Sequence, residues 1–266
     1  MIRVGIGGWD YKPWRGTFYP KGLKQADELG YASRQLTTIE INGTFYRTQS
    51  AASFRKWREE TPEGFVFAVK GHRAVVNSRD LGATAEPIAW FLGSGVLELG
   101  DKLGPILWQF PPYRKFDRDV FGRFLGLLPQ ERDGRRLMHV LEVRSDSFLV
   151  PEFVGLLREH NAAVATADSD DYPAIADVTA DFAYARLQRA SETQPAGYAD
   201  ADLDRWTARA RTWEAGRAPD DLPTVGPPPA SPSGDGPKRP VFVYMINGDK
   251  VRAPAAAMAL IERLGG

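Results

Sequence analysis

The feature that most constrains this chain is a repeated alternation. Short runs rich in β-branched and aromatic residues are each followed by a stretch with helical spacing. Ile2, Val4 and Ile6 alternate with Arg3 and Gly5 in the first run. Thr38–Ile41, Phe65–Lys70, Ile106–Phe110, Met138–Arg144, Ala163–Asp168, Phe182–Leu187 and Val241–Asn247 supply seven more. Between them come apolar stripes such as Phe54 with Trp57, Phe121 with Phe124 and Leu125, and Leu203 with Trp206, Ala210 and Trp213. Ser50 and Asp117 suit helix N-caps, and Pro151 suits a first helical turn. Only the sixth crossover, through Tyr172 and Pro173, is weakly helical. Strict alternation of strands and helices gives parallel strands with helices outside, and eight such units close into a barrel. The expected fold is therefore α/β, a (β/α)8 TIM-like barrel forming one domain over residues 1–266. An open doubly wound sheet is the rival, but Gly5-Ile6-Gly7-Gly8 lacks the full GxGxxG fingerprint. Residues 219–240 turn to Pro, Gly and Ser and read as an irregular surface spacer.

Composition narrows the function classes. The chain of 266 residues carries 34 Lys and Arg against 34 Asp and Glu, so the net charge is zero. Nucleic-acid binders usually carry a basic excess, which makes nucleic acid an unlikely partner on this count. Cysteine is absent, which removes disulfides, thiol nucleophiles and thiolate metal sites. Met1 to Gly5 run directly into a strand, and no apolar stretch reaches the length of a membrane span. The expectation is a cytoplasmic protein with no membrane partner. The sequence carries no reading of oligomeric state.

A barrel of this type places its functional groups at the carboxyl ends of its strands. Nearly every run ends in a polar or charged residue: Glu40 and Asn42, Lys70, Gln109, Glu142 and Arg144, Asp168, Arg186, and Asn247. Strand residues alternate faces, so Glu40 and Asn42 share one face while Ile39 and Ile41 take the other. Glu142-x-Arg144 repeats the pattern. A carboxylate in an apolar strand is costly unless paired or used. Opposite charges hold glutamates ionised, while crowding pushes one of several carboxylates towards protonation. Such a ring offers a general base, a general acid and cations for a developing anion. Glu40, Glu142 and Lys70 are the catalytic candidates. Trp9, Asn42, Tyr46, Gln109, Arg144, Asp168, Arg186 and Asn247 are the binding candidates. Plain structural roles stand beside these: an ion-pair network for the charges, a cap for Asp168, loop hydrogen bonding for Gln109. Trp9, Tyr11 and Trp14 suit a packed lid and a ligand platform equally.

Other chemistries find no pattern. His72, His139 and His160 are scattered, and no spacing argues for a metal site. No nucleophile elbow and no P-loop is present, and no organic cofactor is expected.

The sequence resembles the YecE-like family, a barrel family catalogued as a domain of unknown function. The shared runs are Gly7-Gly8-Trp9 with Trp14–Pro20, Glu40–Tyr46, Phe65–Lys70, Leu103–Pro111, Glu142-Val143-Arg144 and Asp181–Leu187. The resemblance implies a TIM-barrel-like fold and imports no reaction. Members often carry histidine after the Glu-x-Arg run and after the strand-seven Arg-Leu pair; here those places hold Ser145 and Gln188. Many also end the last strand in paired asparagines, where this chain has Asn247-Gly248.

The reading that follows is a cofactor-free enzyme (a hydrolase, lyase or isomerase) using acid–base chemistry on a small anionic or polyhydroxylated molecule. A non-catalytic sensor or partner-binding scaffold is the alternative, and nucleic-acid binding or processing comes third.

Overall fold

The structure is a computed structural model that describes residues 1–228, 238–246, 248 and 250–265. Parallel strands close into a barrel in the order β1-β8-β7-β6-β5-β4-β3-β2. They are β1 (Ile2–Gly7), β2 (Thr38–Ile41), β3 (Val66–Lys70), β4 (Leu103–Gln109), β5 (His139–Glu142), β6 (Ala163–Asp168), β7 (Ala183–Leu187) and β8 (Val241–Met245). The helices are α1 (Glu28–Gln35), α2 (Ala51–Glu60), α3 (Arg73–Val76), α4 (Ala85–Gly93), α5 (Arg118–Leu127), α6 (Pro151–Glu159), α7 (Asp200–Glu214) and α8 (Ala253–Leu264). The (β/α)8 expectation holds.

Period-two alternation builds two separate cores. Ile39, Ile41, Phe67, Val69, Ile106, Trp108, Leu141, Ala185 and Val243 face outward and pack under the helices. Val66, Ala68, Leu107, Val140, Tyr184, Phe242 and Tyr244 face inward and fill the lumen. Gly5 lets β1 approach β2, since a Cβ there would stand 1.8 Å from the Thr38 carbonyl oxygen. The caps fall where the side chains dictate. Ser50 Oγ accepts from Ser53 N at 3.1 Å, and Asp117 Oδ1 accepts from Val120 N at 2.9 Å.

Two departures have physical causes. Strand β4 begins at Leu103 rather than Ile106, through Gly104-Pro105. A proline lacks the donor a regular ladder needs, and the register of β3 against β4 shifts between Phe67 and Val69 to admit it. The sixth crossover has no helix. Ile175 to Ala180 are buried there in irregular conformation. Thr179 Oγ1 accepts from Val164 N at 2.9 Å, and Thr166 Oγ1 donates to Ile175 O at 2.8 Å. The first part of the 219–240 excursion is irregular, but it is anchored rather than free. Val225 N and Gly226 N donate to the Asp177 carboxylate at 2.7 and 3.0 Å, and Ala176 N donates to Pro223 O at 2.9 Å. Residues 229–237 of that excursion lie outside the described residues.

Candidate functional site

At the carboxyl end of the lumen the inward faces turn from apolar to charged. Arg186 of β7 is fully buried and grips both acids that the strand pattern singles out. Its Nη2 donates to Glu40 Oε1 at 2.9 Å and its Nε to Glu40 Oε2 at 3.1 Å. Its Nη1 donates to Glu142 Oε2. Tyr184, two residues earlier on the same face, donates its hydroxyl to Glu40 Oε2 at 2.6 Å. Arg144 Nε donates to Glu142 Oε1 at 2.9 Å, and its guanidinium lies 4.2 Å from the Tyr172 ring centre. Below this lattice Thr38 Oγ1 meets the Tyr244 hydroxyl at 2.8 Å.

Electrostatics follow from these contacts. Burial opposes the charged form of Glu40, but Arg186, Tyr184 and Lys70 outweigh it and hold the carboxyl below its ordinary range. Burial likewise opposes the Arg186 charge, and Glu142 and Glu40 overcome it, so the guanidinium stays charged. The expectation that crowding drives one carboxylate towards protonation fails for Glu40, because each of its oxygens accepts from a guanidinium.

Lys70 stands beside the lattice without joining it. Burial, then the Arg186 charge, push its ammonium down to about 8, against the pull of Glu40 and Glu142. Its Nζ sits 4.5 Å from the Phe45 ring centre, and no described carboxylate pairs with it. Thr44 holds this geometry, donating its hydroxyl to the Lys70 carbonyl at 2.6 Å and so fixing the turn that carries Phe45.

The remaining candidates divide. Gln109 ends β4 beside Glu142 in register, and its Oε1 is buried without a partner among the described residues. Asn42 follows β2, and its Nδ2 donates to the Glu40 carbonyl at 3.4 Å. Trp9 is half-buried, edge-on to Trp57 at 5.0 Å. Trp14 is fully buried, its indole donating to Lys250 O at 2.9 Å, so that ring is packed core. Tyr46 is exposed on the rim. Asp168 does not join the ring. Its strand neighbours Ala163 and Ala165 face the lumen, which turns Asp168 to the other face. There it accepts from the Tyr198 hydroxyl at 3.2 Å and lines a separate cavity of about 540 Å3 with Arg189, Trp206 and Arg209. Burial raises its carboxyl above the ordinary value against the pull of Arg189. Asn247 lies outside the described residues. Ser145 caps a short turn, its Oγ accepting from Ser147 N at 3.3 Å and meeting Lys115 Nζ at 3.1 Å.

Tyr184 and Tyr172 are not singled out by the sequence, whereas Phe45, next to Tyr46 after the Glu40-x-Asn42 strand end, is. Tyr184 was reachable, because Tyr184-x-Arg186 repeats the spacing of Glu40-x-Asn42. Tyr172 sits on an irregular loop that no periodicity places. Among the described residues no three His, Asp or Glu side chains gather to hold a metal ion. No described helix is long and apolar enough to cross a membrane.

Fold and site together define a parallel α/β barrel with a buried arginine–glutamate lattice at its carboxyl mouth. The chain belongs to the family described as "Protein of unknown function DUF72", which matches residues 3–266. It is 30% identical over 118 residues to the UPF0759 protein YunF of Bacillus subtilis (strain 168). That match spans 42% of this chain and 41% of YunF, so it reaches less than half of the relative's length. A DUF72 family protein from Thermotoga maritima MSB8 superposes with a TM-score of 0.76 at 20% identity, covering 100% of both chains. One from Enterococcus faecalis V583 gives 0.71 at 15% identity, covering 100% of this chain and 98% of that one. At these identities the likeness shows the fold.

Proposed function

We propose that the barrel mouth binds a small anionic or polyhydroxylated molecule and performs acid–base chemistry on it, with Lys70 as the proton-transfer group. The observation that carries this is the placement of Lys70: a desolvated amine against the Phe45 ring, paired with no described carboxylate, its pKa pushed down to about 8 beside the Arg186 charge. A group whose pKa lies near the working pH is the most effective proton carrier. Glu40 and Glu142 serve this site by fixing Arg186 rather than by shuttling protons, since both accept hydrogen bonds from guanidinium groups.

The charge balance favours an anion. Arg186, Arg144 and protonated Lys70 outnumber Glu40 and Glu142 by one positive charge. Arg144 remains partly exposed at the opening and can meet a carboxylate or phosphate. The orphaned Gln109 Oε1 offers an acceptor to a hydroxyl on the same molecule. An arriving anion would favour the charged ammonium, so binding itself would load Lys70 with a proton.

The test is a thermal-shift screen of phosphates, organic acids and sugars on wild type and Lys70→Met. A ligand at about 100 times its Kd stabilises the fold by about 2.7 kcal/mol. Shifts by anions in wild type that shrink in Lys70→Met support the reading. If no compound shifts wild type, or if Lys70→Met responds identically, the reading is wrong.

A further inference from the structure

A second group of residues surrounds the mouth and takes no part in its lattice. The large hydrophobic side chains exposed among the described residues are Met1, Tyr46 at 68%, Trp90 at 50%, Tyr113 at 67% and Leu149 at 41%. Apart from Met1, all stand on or against the loops that leave β2, β3, β4 and β5. Tyr46 follows β2, Tyr113 follows β4 and Leu149 follows β5. Trp90 lies on α4 with its ring edge-on to His72, which follows β3. Exposed apolar side chains grouped on one face mark interaction sites, whereas scattered ones need no explanation.

These loops are laced into one surface. The Arg73 guanidinium stands 6.0 Å from the Tyr46 ring centre. Arg114 Nη2 donates to the Ser78 carbonyl, joining the β4 and β3 loops. Lys115 Nζ meets Ser145 Oγ at 3.1 Å and Phe116 N donates to Ser147 Oγ at 2.9 Å, joining the β4 and β5 loops.

The same surface is basic. It carries Arg47, Arg73, Arg79, Arg114 and Lys115, none of which pairs with a described carboxylate. The acids on these loops are Asp80, Asp117 and Asp146, and Glu86 stands one turn before Trp90 on α4. Asp80 and Asp117 already accept backbone hydrogen bonds from Gly82 N and Val120 N, each at 2.9 Å. The zero net charge of the chain, which argued against nucleic acid, therefore conceals a local positive excess.

We propose that this rim docks single-stranded nucleic acid, with bases stacking on Tyr46, Trp90 and Tyr113 and phosphates meeting Arg47, Arg73, Arg79 and Lys115. Aromatic rings interleaved with cations form the platform that unpaired strands use, because every base has a face to stack and every linkage a charge. A duplex hides those faces. A membrane-binding patch would be richer in aliphatic side chains, of which only Leu149 is exposed here. The inference stands apart from the chemistry of the mouth.

The experiment is fluorescence anisotropy with labelled oligo(dT) and oligo(U) of about 12 nucleotides, against a duplex of equal length, heparin and anionic vesicles. Single strands are expected to bind best, with affinity falling as salt rises. Tyr46→Ala with Trp90→Ala and Tyr113→Ala together should weaken binding by roughly tenfold or more. Arg73→Glu with Arg79→Glu should weaken it and flatten the salt dependence. Tyr113→Ala alone, at an exposed position, gives a milder loss in a chain whose circular dichroism is unchanged. The proposal is overturned if wild type binds no strand at low salt, if the aromatic variants bind as wild type does, or if duplex, heparin or vesicles are preferred.

Discussion

Arg186 reaches across the barrel from β7 to hold both oxygens of Glu40 on β2, at 2.9 and 3.1 Å. Two strands, β8 and β1, separate them along the wall, so the pair bridges the lumen rather than neighbouring strands. Removing one partner of a buried pair leaves the other charge stranded, which costs about 3–5 kcal/mol. Glu142 still pairs Arg186 when Glu40 is removed, so Glu40→Ala should lose up to that much in urea unfolding, and Glu40→Gln, which keeps a hydrogen-bond acceptor, should lose less. The carboxyl lies below its ordinary value of 4.5 in the folded state. Its stabilisation is therefore present above that pH and lost as pH falls through the folded value. The wild-type advantage over Glu40→Gln should narrow on acidification. An advantage unchanged down to strong acid contradicts the pairing.

His139 makes a prediction of the same sign from a different cause, burial without a charged partner. It is buried, accepts from the Trp108 indole on Nδ1 at 3.2 Å, and meets the Pro129 carbonyl through Nε2 at 2.8 Å. Burial lowers its pKa to about 4, with the Pro129 carbonyl pulling the other way. Between about 4 and its ordinary 6.5 the unfolded chain binds the proton and the folded chain does not. Stability therefore falls as pH drops through that window. The His139 imidazole signals in NMR should stay those of a neutral ring down to about 5 and change near about 4. A midpoint near 6.5 contradicts the burial account.

Gly71 shows how closely the site leans on its scaffold. A Cβ there would stand 2.3 Å from Trp108 Cε3. The indole cannot retreat, because Phe91 and Phe124 meet it edge-on at 5.7 and 6.0 Å. Overpacking of this kind costs about 1–3 kcal/mol. Gly71→Ala should lower the urea midpoint accordingly and disturb the adjoining Lys70. A variant as stable as wild type shows that the wall yields.

The barrel was legible because its signal is redundant. Each strand from Thr38–Ile41 to Val241–Met245 carries its own two-residue alternation, and one weak unit does not break the pattern. The charged and polar groups of the mouth were legible for the same reason: Glu40, Lys70, Gln109, Glu142 and Arg186 all fall on inward positions at strand ends. Asp168 is not among them, because a polar residue at a strand end reaches the lumen only when its spacing puts it on the inward face. Its odd spacing from Ala163 and Ala165 decides that question. The pairing was also hidden. Nothing local to Glu40 names Arg186, which lies 146 residues away and meets it only when the barrel closes. The rim was concealed by averaging, since a net charge of zero says nothing about where charges gather.

The central claim is that the mouth holds a lysine poised near neutrality. Competitive acetylation of the intact chain from about pH 6 to about pH 11, read by peptide mass spectrometry, reports the titration of each amine. The account predicts that Lys70 reacts with a midpoint at about 8, well below the ordinary lysine value of 10.5. A midpoint for Lys70 at 10.5 would contradict it.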